Sequence, residues 1–205
     1  MGSRRFFYFL PACGHHLDFR RAIHAIIGEG FSFSASAFVN VHDDSGILLS
    51  ANERSLEPPA DRSLERMLNE GERLDVLCND ASLVLTCGFG SQHEDPVFSI
   101  SMSRKSWLRL NDTVRAQYMQ SLARIAGKSR AAYILVIDDP ADDFLSHLEP
   151  IDDEWVVDLG LPDGSEYDAS SVWVDSKVGI LPNMRRLRST GRGYGDFKEY
   201  EESLT

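Results

Sequence analysis

The chain is poor in cysteine: Cys13, Cys78 and Cys87 are the only three in 205 residues, and none belongs to a C-x-x-C pair. An odd, scattered set argues against a disulfide-stapled scaffold and lacks the spacing of a zinc site. It suits a reducing compartment, so a cytoplasmic location is expected. Long apolar runs are missing as well. The longest, "AAYILVI", falls well short of the ~20 residues a membrane-spanning helix needs, and no membrane association is expected. The apolar part of "RRFFYFL" is about six residues, under the ~7–15 of a signal-peptide core, and it reads as a first strand. Also missing are G-x-S-x-G, H-E-x-x-H, a P-loop and a dinucleotide-binding fingerprint. No catalytic residue, cofactor or resident metal is assigned on sequence grounds.

The composition is that of a folded protein, with 42% apolar and 10% aromatic residues. The charge is unevenly spread. Residues 138–168 hold 12 of the 32 acids and no Lys or Arg, so a net charge of −11 sits almost wholly in one block. Such a block repels nucleic acid and anionic lipid and attracts cations or basic proteins. Nucleic-acid binding is therefore not expected.

Periodicity predicts strands at "RRFFYFL", "FSASAFVNV", "GILLS", "RLDVLCN", "SLVLTCGFG", "PVFSISMS", "AAYILVI", "EWVVDLG" and "SVWVDSKVG". It predicts three helices. The first is "LDFRRAIHAIIGEG", with Phe19, Ile23, Ile26 and Ile27 on one face. The second is short, capped by Asp61, with Leu64, Met67 and Leu68 inward. The third is "NDTVRAQYMQSLARIAG", capped by Asn111 or Asp112, with Val114, Tyr118, Leu122 and Ile125 in a stripe. The expected fold is α+β: a mainly antiparallel sheet with two or three packed helices. One domain is expected over residues 4–182, with room for a small lobe from about residue 140, followed by a loose tail over 183–205.

Several stretches invite chemistry. Asp138 and Asp139 follow a strand, where two-metal hydrolases place paired carboxylates, but adjacent residues at a strand end point to opposite sides. "DDPADDFLSHLE" lacks the central glycine and alternating ligands of an EF-hand. "CGHH" (Cys13 to His16) has the residue types of a zinc or nucleophile–base site but no partner set at a supporting spacing. "HDDSG" (His42 to Gly46) is made of turn residues. "GFGSQHEDP" (Gly88 to Pro96) reads as an interstrand loop whose acids would repel phosphate. "RSTGRGYGD" offers Arg192 and Tyr194 to an anion but lacks a strand–helix context.

What an acidic block does well is speed encounter with a basic partner and orient it. Phe144, Leu148, Trp155, Tyr167 and Trp173 are interleaved with it or follow it, and exposed aromatics there would anchor an interface. The head "RRFFYFLPACGHHLDFRRAI", the middle "DPVFSISMSRKSWLRLN", the helix "TVRAQYMQSLARIAG" and the strand "AAYILVIDDP", with the acidity, resemble the bacterial immunity proteins that neutralise polymorphic or secreted toxins. The resemblance implies a cytosolic binder of one cognate toxin, acting by occlusion. The expected partner-binding residues are Asp138, Asp139, Asp142, Asp143, Asp152, Asp153, Glu154 and Trp155. Two alternatives stand beside it. One is a metal-dependent hydrolase or transferase using Asp138 or Asp139 with His15 or His16. The other is an adaptor subunit docking through the tail from Asn183.

Overall fold

The computed structural model describes residues 4–12, 15–42, 48–80, 83–92, 95–138, 150–151, 154–155, 171–178 and 187–202. Ten strands form one continuous sheet. In chain order they are β1 (Arg4–Pro11), β2 (Ser32–His42), β3 (Leu48–Ser55), β4 (Arg73–Asn79), β5 (Val84–Gln92), β6 (Asp95–Ser103), β7 (Ala131–Asp138), β10 (Ser171–Asp175), β11 (Leu187–Tyr194) and β12 (Phe197–Glu202). Two short strands, β8 (Pro150–Ile151) and β9 (Glu154–Trp155), pair only with each other. The sheet order is β11-β12-β10-β7-β1-β6-β5-β4-β2-β3, and each neighbouring pair is antiparallel. The helices are α1 (Phe19–Gly28), α2 (Ala60–Asn69), α3 (Arg104–Arg109) and α4 (Asp112–Ser129). The α+β, mainly antiparallel expectation holds.

Alternation divides the sheet into two faces. On one, Phe7 and Phe9 of β1, Ile134 and Val136 of β7, Trp173 of β10 and Phe197 of β12 join the buried residues of all four helices in the main core. On the other, Tyr8, Leu10, Tyr133, Leu135, Ile137, Val172 and Val174 form a second buried cluster that, among the described residues, contains none from a helix. The strands β1 and β7 feed both clusters, which is why "AAYILVID" is buried at all eight positions.

The helices form for local reasons. Asp18 caps α1 by accepting from the Arg21 amide at 3.0 Å, and Ile23 and Ile26 are buried beneath it. Each such isoleucine contributes roughly 1.5–3 kcal/mol by leaving water. Asn111 caps α4, accepting from the Val114 amide at 2.9 Å. That helix runs through Gly127 and ends at Arg130, whose φ of 66° turns the chain into β7. Asp61 does not cap α2. Pro59 occupies the cap position without a side-chain bond, and Asp61 lies in the first turn, where its charge suits the helix dipole. The six-residue α3 has too few turns to show a period and was not expected from the sequence.

Two expectations are corrected. "GFGSQHEDP" is not a long interstrand loop: the strand expected through Gly90 continues to Gln92, and β6 resumes at Asp95. Within the expected loose tail, residues 187–202 instead form a hairpin within the sheet. Its turn is Gly195–Asp196, with Tyr194 opposite Phe197 and a Gly195 φ of +58°. Phe197 is 1% exposed and the Tyr194 ring lies 4.5 Å from that of Trp173, so the hairpin is anchored in the core.

Candidate functional site

The acidic block begins inside the protein. Asp138 ends β7 opposite Arg5 of β1, on the helix-bearing face. Arg5 donates from Nε to Oδ1 and from Nη2 to Oδ2, both at 2.6 Å, while Arg104 Nε lies 3.4 Å from Oδ2. The Asp138 side chain is only 7% exposed. The Arg5 guanidinium also sits 5.8 Å from the ring of Trp107, which is itself buried on α3 and edge-on to Phe7. A carboxylate this far from water is held by charge-assisted, two-pronged hydrogen bonding, the geometry for which Arg is suited. Both oxygens of Asp138 are engaged inward, so this member of the expected interface serves the protein's own fold. A divalent ion there would have to displace a guanidinium.

Of the other expected interface residues, Asp139, Asp142, Asp143, Asp152 and Asp153 lie outside the described residues. Glu154 and Trp155 form β9, in register with Ile151 and Pro150. Trp173, weighed as an interface aromatic, is fully buried, with its ring 6.1 Å from that of Phe7. His15 and His16 are exposed, in the connection between β1 and α1, and Cys13 and Gly14 lie outside the described residues. Among the described residues, no group of three or more His, Cys, Asp or Glu is placed to hold a metal. Arg192 does not await an anion. Its Nε lies 2.5 Å from Oε2 of Glu199, a buried carboxylate that also accepts from Thr190.

The opposite face carries a polar row that sequence reading missed. Tyr8, Ser99, Gly88, Asp75 and Phe38 stand directly opposite one another across β1, β6, β5, β4 and β2. A Cβ at Gly88 would lie 2.6 Å from Ser99 Oγ and 3.0 Å from Asp75 Oδ1, so glycine there makes room for the two polar side chains. Asn40 donates to Asp75 at 2.8 Å. Burial, with the Asp75 charge adding to it, pushes the Tyr8 hydroxyl far above the ordinary tyrosine range, so it stays neutral. One strand end further along, Arg4 donates to Thr86 and Ser101, each at 2.8 Å. The one sequence signal for this row was the pair of glycines two apart in β5, since glycine within a strand marks close approach.

Phe38 of this row is 40% exposed, and Leu77 and Val84 on the same face are exposed at 43% and 60%. No helix among the described residues is long and apolar enough to cross a membrane. Comparison with protein-family models, with curated proteins and with solved structures finds no match for this chain.

Proposed function

We propose that this chain is a binding protein of the toxin-immunity type, which neutralises a basic bacterial toxin by presenting the carboxylates of residues 138–168 where the toxin's own anionic substrate would sit. The supporting observation is the separation of charge from scaffold. Across the described sheet and helices, arginines are matched to carboxylates: Arg54 to Glu72, Arg124 to Glu29, Arg188 to Glu201 and Arg192 to Glu199, besides Arg5 to Asp138. These described arginines are matched within the scaffold, and by sequence the net negative charge is concentrated in the block. Crowding like charges opposes stability, so the block calls for a partner that repays it. The interface assigned to this reading is Asp139, Asp142, Asp143, Asp152, Asp153, Glu154 and Trp155. Asp138 is moved from contact residue to anchor. A cytoplasmic site of action follows from the same reading.

The test is charge reversal. Asp142, Asp143, Asp152 and Asp153 are changed together to lysine, and the chain is co-expressed with a basic toxin domain recovered from its host as a binding partner. The parent chain should restore growth and the variant should not. With purified proteins, the variant should associate at least tenfold more slowly at low salt, and its rate should depend less on ionic strength. An unchanged rate and unchanged salt response would show that the block is not the interface.

A further inference from the structure

Two thiols in the main core are placed to join. Cys78 lies on β4 and Cys87 on β5, and their Sγ atoms are 3.1 Å apart. Register explains the contact: Cys78 pairs with Leu85 and Cys87 with Val76, so the two stand on one diagonal of adjacent antiparallel strands. Both belong to the helix-bearing face, and both are buried, at 1% and 0% exposure. An S–S bond of ~2.05 Å is about an ångström shorter than the present separation, and because diagonal positions on neighbouring strands lie farther apart than directly opposite ones, closing it draws the two strands together.

We infer that Cys78 and Cys87 are a reversible disulfide-forming pair, a modification site for low-molecular-weight disulfides such as oxidised glutathione. One cysteine thiolate attacks the small disulfide, forming a mixed disulfide and releasing one small thiolate. The second cysteine, as thiolate, attacks the protein sulfur of that mixed disulfide, forms the Cys78–Cys87 bond and releases the second small thiolate. Two S–H bonds are lost, one S–S bond is made, and the two electrons and two protons end on two molecules of small thiol.

The core sets the speed. Contact with Cys78, then burial, holds the Cys87 thiol well above the ordinary range, and so it stays protonated and a poor nucleophile while the strands are closed. Exchange proceeds through transient opening of the β4–β5 hairpin. Its connection is tied down at Asp80, which accepts from the Leu83 amide at 2.8 Å and from the Tyr118 hydroxyl of α4. The pair is therefore slow to oxidise and slow to be reduced, and it records sustained rather than momentary oxidation.

The sequence makes the test clean. Nothing between Arg73 and Arg104 is Lys or Arg, so trypsin leaves both cysteines on the peptide of residues 74–104, with Cys13 on another. The full-length Cys13→Ser protein, reduced and then held under native conditions with excess oxidised glutathione, is quenched in acid, unfolded and alkylated. The expected result is a 74–104 peptide that carries no alkyl group and is lighter by two hydrogens, restored to two alkyl groups by prior reduction. Cys78→Ser and Cys87→Ser, each in the Cys13→Ser background and checked for folding by circular dichroism, should instead stop at the glutathione adduct or remain free. Two outcomes would overturn the inference: a peptide that stays doubly alkylated after days of oxidation, or one that accumulates stable glutathione adducts while both cysteines are present.

Discussion

Asp138 illustrates what one residue can and cannot disclose. The chain shows a wholly apolar strand ending in a carboxylate, and an acid in that position needs a cation. Which cation is invisible in sequence, because Arg5 stands 133 residues away and reaches Asp138 only through the β1–β7 register. Removing the charge with Asp138→Asn leaves Arg5 and Arg104 facing a neutral amide. Both arginines retain some solvent, so the expected loss is about 1–3 kcal/mol, below that of a fully buried pair, read by urea denaturation. Glu29 offers a pH-dependent counterpart. Arg124 clamps its two oxygens at 2.8 and 2.6 Å and holds its carboxyl below the ordinary 4.5. A depressed acid stabilises the fold above its ordinary value, and that contribution is lost as pH falls through the folded one. The stability advantage of the parent over Glu29→Gln should therefore be steady near neutrality and shrink in the acid range. A difference that grows towards low pH would contradict the assignment.

At the level of elements, legibility followed amphipathicity. The helices α1 and α4 bury regular stripes and carry side-chain caps, so they could be read directly. The hairpin β11–β12 could not be read in the same way. It alternates poorly because β11 forms the sheet edge, and its largest buried apolar side chain is Phe197. One signal was present, a Gly-Asp pair between two aromatics, which is the chemistry of a two-residue turn. If the hairpin belongs to the core, Phe197→Ala should lower the unfolding free energy by about 3–5 kcal/mol in chemical denaturation. A change within ~0.5 kcal/mol would return residues 187–202 to the status of a tail.

For the whole molecule, the bulk charge was the most legible property, and its placement was the least. Composition alone located the acidic block, whereas the arginine clamp that roots it depends on long-range pairing. The fourfold lysine variant tests this scale as well. Each reversal adds two charges, so the net charge moves from −11 to −3, and folding should be little affected because the scaffold is compensated internally. The position of β1 between β6 and β7 has one more consequence. β1 leaves the ribosome before either neighbour and waits for β6, whose Ser101 and Phe98 follow Phe6 and Phe9 by 95 and 89 residues. At ~5–20 residues per second the delay is on the order of ten seconds. Through that interval "FFYF" is a sticky, unpaired segment, and the two arginines ahead of it act as gatekeepers against aggregation. The side chains that later grip Asp138, Thr86 and Ser101 thus guard the nascent chain before they hold the finished one.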